Sequence, residues 1–155
     1  MVTKIVYTIG HSNRSLSKFL KLLKDYKIVA VVDVRRFPTS RRFPHFKKEN
    51  LEKELEKNNI KYFWLGESLG GLRPITYEEY MKTKDFEKGL KELIEIIEKY
   101  SPAAIMCKER LWFKCHRRFI SDRLIEEGYQ VIHIIDEENT YKHKRRSSNS
   151  KSLFS

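Results

Sequence analysis

Cysteine is scarce in this chain of 155 residues, occurring only at Cys107 and Cys115. Two thiols do not make the disulfide framework of a small secreted domain, so reduced cysteines in a cytoplasmic protein are expected. Glutamine is scarcer still, with Gln130 the single example, while Lys, Glu and Ile are plentiful, a bias that fits a heat-adapted source. No apolar run approaches the roughly 20 residues that span a bilayer, so no membrane partner is expected. The start, Met1-Val-Thr-Lys-Ile5, leads straight into a strand-like pattern without signal-peptide architecture. Acids are missing from residues 141–155, which carry Lys142, Lys144, Arg145, Arg146 and Lys151. Residues 140–155 therefore read as a basic, disordered tail behind an ordered domain over 1–139.

Several chemical signatures are absent too. There is no Walker-type loop, no spaced-glycine dinucleotide fingerprint and no Cys-x-x-Cys pair. The cysteine-phosphatase spacing, with Arg six residues after Cys, is missing because Phe113 and Ser121 stand at those places. Protein-phosphatase chemistry is not expected, and no cofactor is evident.

What is present is enough for one domain with a proper core, since 40% of the residues are hydrophobic. The net charge is +11, from 32 Lys and Arg against 21 Asp and Glu, and the body stays basic without the tail. Charge on that scale favours polyanionic partners such as nucleic acid, and says nothing about fold.

Along the chain, β-rich runs alternate with helical patterns. Lys4 to Ile9, Ile28 to Val34, Ile60 to Leu65, Ala103 to Met106 and Tyr129 to Ile135 read as strands. Ser15 is a good N-cap for a helix to about Tyr26, 49–58 reads as a short surface helix, 77–100 as one long helix and 119–127 as another. The expected fold is α/β: a single domain with a mostly parallel sheet of about five strands and helices on both faces.

In such sheets ligands bind beyond the carboxyl ends of the strands. The unusual polar residues collect there: Gly10, His11 and Ser12 after the first strand, Asp33 and Arg35 after the second, Glu67 to Gly71 after the third. Cys107 and Glu109 follow the fourth, and Asp136 the fifth. Cys115, His116 and Arg117 fall at the start of the next helix, where backbone N–H groups favour anions.

Thr8-Ile9-Gly10-His11-Ser12-Asn13, Asp33-Val34-Arg35, Pro38-Thr39-Ser40, Leu69-Gly70-Gly71, and Cys107-Lys-Glu109 with Cys115-His116-Arg117 resemble a widespread family. It is number four hundred and eighty-eight among the domains of unknown function, and the colinear match runs over roughly 5–135. The resemblance implies an α/β domain of Rossmann-like or incomplete-barrel type and no established reaction. Its motif positions fall on Gly10, His11, Ser12, Asp33, Arg35, Ser40, Gly70, Gly71, Cys107, Glu109, Cys115, His116 and Arg117.

Each of these has a functional reading and a structural one. Cys107 is a nucleophile activated by His116 or Arg117, or a small hydrophobe ending a strand. Glu109 is a general acid or base, or an ion-pair partner of Arg35 or Arg117. His11 and His116 suit acid–base work, or hydrogen bonds across the cleft. Arg35 and Arg117 suit an anion, together with the Ser12 and His116 N–H groups. Asp33, Ser40 and Cys115 are orienting or structural. Gly70 and Gly71 let a substrate near the backbone, or simply turn the chain. Cys107, Glu109, Cys115 and His116 offer zinc-type donors, but adjacent Cys115 and His116 rarely face one ion, so no metal is assigned. A Cys107–Cys115 redox pair is a further reading, ranked lower for want of a Cys-x-x-Cys signature.

The sequence Arg-Arg-Phe-Pro occurs twice, at 35–38 and 41–44. Its Arg residues, Arg41 and Arg42 among them, interleave with Phe37 and Phe43, as phosphate contacts and stacking platforms do; the alternative is a solvated loop with both Phe in the core. The preferred function is an enzyme acting on a phosphate-bearing substrate, a nucleic acid or nucleotide. A non-catalytic nucleic-acid-binding module and a small-molecule thiol or redox enzyme are the alternatives. The oligomeric state is left open.

Overall fold

Val31 and Val32 are buried on both sides, the environment that β-branched residues fill well in a parallel sheet. The computed structural model describes residues 4–144. The strands are β1 (Ile5–Gly10), β2 (Ala30–Asp33), β3 (Lys61–Trp64), β4 (Ala103–Cys107), β5 (Gln130–Ile134) and β6 (Thr140–Lys142). They form one sheet in the order β3-β2-β4-β1-β5-β6. Every pairing is parallel except that of β6, which runs antiparallel to β5.

Helices α1 (Leu16–Asp25) and α2 (Lys48–Lys57) cover one face of the sheet. Two short helices follow β3, α3 (Gly66–Leu69) and α4 (Tyr77–Tyr80). The opposite face is covered by α5 (Lys84–Lys99) and α6 (Arg117–Glu126). Strand alternation sorts the two cores. Ala103, Ile105 and Cys107 of β4 face the α5 and α6 side, while Ala104 and Met106 face α1 and α2.

The expected α/β class, parallel sheet and two helical layers are all seen. Three local expectations change. The stretch 77–100 is two helices, because the Thr83 hydroxyl accepts the Phe86 N–H at 3.2 Å and starts α5 afresh. The glycine turn over 66–71 contains α3. The sequence from 140 begins as strand β6, and His143 behind it is buried; residues 145–155 of the expected tail lie outside the described residues. No helix among the described residues is long and apolar enough to cross a membrane.

Strand order also sets how the connections run. The chain leaves β1 for β2 across the α1 face, past β4, and leaves β4 for β5 across the α6 face, past β1. The cleft itself lies above the carboxyl ends of β2 and β4, between the loops that follow β2, β3 and β4.

Candidate active site at the carboxyl ends of the strands

Gly10 and Cys107 are register partners at the ends of β1 and β4. Backbone pairing continues past both strands: the His11 N–H donates to the Cys107 carbonyl and the Ser12 N–H to the Lys108 carbonyl, each at 2.8 Å. A Cβ on residue 10 would lie 1.7 Å from the Glu109 carbonyl oxygen, so only glycine lets the two loops approach this closely. Ser12 is thereby removed from its expected role. Its N–H is engaged, and Ser12 does not border the cleft.

Asp33, fully buried at the end of β2, grips Arg35 in a fork. Oδ1 accepts from Arg35 Nε at 2.9 Å and Oδ2 from Nη2 at 2.8 Å. Oδ1 also accepts the Arg35 backbone N–H, and Oδ2 the Tyr62 hydroxyl at 2.6 Å. This bidentate geometry fixes the guanidinium plane. Its remaining nitrogen, Nη1, meets His11 Nε2 at 3.3 Å. Since Arg can only donate, Nε2 accepts, and Nδ1–H donates to the Ser12 carbonyl at 2.9 Å. Burial, then the neighbouring Arg35 charge, lowers the His11 pKa to about 4, so the ring is a neutral prop for Arg35, stacked on Phe46. Asp33 and His11 thus hold the Arg35 guanidinium from two sides.

The two cysteines meet. Cys107 Sγ and Cys115 Sγ lie 2.7 Å apart, although eight positions separate them in sequence. A 3-10 turn, Trp112–Lys114, folds the loop back so that Cys115 stands just before α6. Cys115 Sγ receives the Arg117 backbone N–H at 3.4 Å and faces His116 Nδ1 at 3.6 Å. The proton donated by Cys107, opposed by burial and helped by His116 and Arg117, holds the Cys115 thiol well below the ordinary thiol range. Burial, and then its bond to Cys115, pushes the Cys107 thiol up. Of the two thiols, the surroundings favour the thiolate form at Cys115, whereas the strand-end Cys107 was the one expected as a nucleophile. His116 Nε2–H donates to the Val34 carbonyl at 3.1 Å, which leaves Nδ1 to exchange a proton with the sulfur.

Arg117 is 1% exposed and faces inward, not into the cleft. Nη1 donates to Thr8 Oγ1 at 3.0 Å and Nη2 to the Glu109 carbonyl at 2.6 Å, while Nε has no partner. Among the described residues no carboxylate bonds it, an unusual state for a buried cation. Its charge in turn favours the thiolate form of both neighbouring cysteines. The anion contact expected of Arg117 is thus unavailable.

Above these groups lies a cavity of about 780 Å³. It holds Arg35, Arg36, Arg41, Arg42, Arg73, Lys108, Lys114 and Arg118 against a single acid, Glu109. Among the described residues only Arg35 of these cations has a carboxylate partner. Glu109 is exposed at the mouth. Ser40 also borders the cavity and caps its loop, its hydroxyl accepting the Phe43 N–H at 3.2 Å. Gly71 borders it beside His116, whereas Gly70 lies outside, packed on Arg36. Of the repeated Phe residues, Phe43 packs partly into the core and Phe37 is 60% exposed at the rim.

Sequence reasoning missed Arg73, Lys108, Lys114 and Arg118, and the apolar rim of Leu72, Ile75 and Phe113. Arg73 was within reach, two residues beyond the Gly70–Gly71 turn; the loop lysines carried no distinguishing signal. Among the described residues no three His, Cys, Asp or Glu side chains converge as a metal site requires.

The family model described as Domain of unknown function DUF488 matches residues 15–124, and the chain belongs to that family. The matched span takes in Asp33, Arg35 and the whole Cys107–Arg117 loop, and is narrower than the motifs suggested. No curated protein and no solved structure matches the chain.

Proposed function

We propose that the cleft is the active site of an enzyme acting on a phosphate-bearing substrate, a nucleic acid or nucleotide, with Cys115 as its thiolate. One observation carries this reading: seven of the eight cations around the cavity lack a carboxylate partner among the described residues. Cations with no internal counter-charge, focused in a concave site, attract an anion from outside. The rim favours a nucleotide over a bare anion. Phe37, Leu72, Ile75 and Phe113 are large, exposed and apolar, and all border the same cavity. Aromatic side chains beside cations are how single strands are held, through bases on rings and phosphates on Arg or Lys.

In this reading Arg41 and Arg42 hold phosphate, and His116 Nδ1 accepts the Cys115 proton. The thiolate forms a bond to the electrophilic atom of the substrate as the bond to the leaving group breaks. Glu109 protonates the leaving group, and water then cleaves the sulfur bond, returning a proton to Glu109.

The test uses end-labelled single-stranded and duplex oligonucleotides with wild type and Cys115→Ser, run on native and denaturing gels. A shifted band with both proteins and a product with wild type alone is expected. A salt-sensitive shift without product would make the protein a binding module, and no shift would remove nucleic acid as the substrate.

A further inference from the structure

We propose that Cys115 and Cys107 form a reversible oxidation site for hydroperoxides, with Cys115 the attacking sulfur and Cys107 the resolving one. Four features lead there. The sulfurs already touch, at 2.7 Å, so a disulfide between them needs no long-range rearrangement. Both residues border the cavity, which gives a small oxidant a route to them. They differ in access: Cys107 is 2% exposed at the end of β4, whereas Cys115 is half-buried on the loop before α6. Finally, the Arg117 N–H donates to one sulfur only, that of Cys115, and His116 Nδ1 faces the same sulfur, placed to take its proton. A stabilised, accessible thiolate beside a second thiol is the arrangement in which oxidation stops at a disulfide.

The chemistry balances within the pair and one peroxide. The Cys115 thiolate attacks the O–O bond; a sulfur–oxygen bond forms, giving Cys115–SOH, and the released hydroxide or alkoxide takes a proton from solvent. Sulfur has lost two electrons and the peroxide has gained them. The Cys107 sulfur then attacks the sulfenic sulfur, the S–S bond forms, and the Cys107 proton leaves with hydroxide as water. A dithiol reductant reverses the product by exchange. Oxidation removes the thiolate and with it the negative charge beside buried Arg117, so the oxidised protein loses any chemistry that needs Cys115.

The Cys115 thiolate is shared with the function proposed above, but no substrate is, so the two can fail separately. The experiment is a titration of the full chain with hydrogen peroxide, followed by iodoacetamide and intact-mass measurement. Wild type should lose two hydrogens and take up no alkyl group, and dithiothreitol should restore two alkylatable thiols. In Cys107→Ser, Cys115 should be captured as a dimedone adduct and pass on to sulfinic acid. In Cys115→Ser, Cys107 should stay reduced at the same peroxide level. Peptide mapping of oxidised wild type, which relies on no variant, should join the two cysteine peptides. The proposal is overturned if wild type keeps two alkylatable thiols, or if its Cys115 reaches sulfinic acid as readily as in Cys107→Ser.

Discussion

Arg117 and Asp122 are joined by hydrogen bonds through the side chains of Thr8, His133 and His143. Asp122 can only accept, so His143 Nε2–H donates to its Oδ1 at 2.7 Å. With the Thr8 hydroxyl donating to His133 Nδ1 at 2.6 Å, His133 Nε2–H donates to His143 Nδ1 at 2.8 Å. Thr8 Oγ1 in turn accepts from Arg117. In this arrangement the polarity runs one way, from guanidinium to carboxylate, and both ends belong to α6. Trp112 stacks on His133 with centroids 4.6 Å apart and closes the network from above.

Thr8 is the link whose removal isolates Arg117. Thr8→Val keeps the shape but leaves an Arg donor and a His acceptor buried without partners, at a cost of about 2–3 kcal/mol. Thr8→Ser keeps the hydroxyl and should lose about 1 kcal/mol. Urea unfolding of the two variants measures this; equal losses would mean that the methyl, not the hydroxyl, matters.

Acid should destabilise the fold through two histidines. His11 is lowered to about 4, chiefly by burial and then by Arg35. His133 is lowered to about 2 by burial, then by His143 and Arg117. His11 also faces Asp33 and Lys108, and His133 faces Thr8 and Trp112. Below the ordinary histidine pKa the unfolded chain takes up protons that the native chain refuses, so stability is full above that pH and is lost as pH falls. Between pH 7 and 5 the loss should be on the order of 3 kcal/mol. Urea midpoints that stay constant across this range would contradict two neutral, buried rings.

The buried Asp33–Arg35 pair should behave as a unit. Asp33→Ala strands a cation and costs about 3–5 kcal/mol. Adding Arg35→Met to it should recover part of that loss, since no lone charge remains. Strictly additive losses in a double-mutant cycle would mean that the fork contributes no coupling.

Much of this was legible in the sequence, and the failures have physical causes. The continuous apolar run around Val31 and Val32 could only be a buried strand, so Asp33 had to mark a strand end. That logic placed Arg35, Cys107, Glu109 and His116 near one another. It could not choose between Arg117 and Arg118, because consecutive helical residues point about 100° apart and the helix rotation is set by packing of Ile120 and Leu124. Arg117 turns inward and Arg118 lines the cavity. Nor could spacing reveal that the loop brings Cys115 onto Cys107, since the 3-10 turn depends on Trp112 packing against His133. Strand β6 was hidden by a Lys-rich composition; its anchor is His143, whose partners His133 and Asp122 are distant in sequence.

Phe37, exposed at the rim, separates base stacking from simple charge attraction. Phe37→Ala should weaken binding of a single-stranded oligonucleotide by about 1–3 kcal/mol and leave the salt dependence unchanged. Isothermal titration at one salt concentration reads the first effect. Unaltered affinity would assign binding to charge alone.

The most direct test of the cationic cleft is the salt dependence of single-strand binding in wild type and an Arg41→Ala/Arg42→Ala variant. Each phosphate contact contributes about 0.7 to the slope of log K against log salt, so losing two should lower it by about 1.4. That drop, with folding unchanged, is the expected result. An identical slope in the two proteins would contradict the assignment of this cleft to a phosphate-bearing substrate held by those arginines.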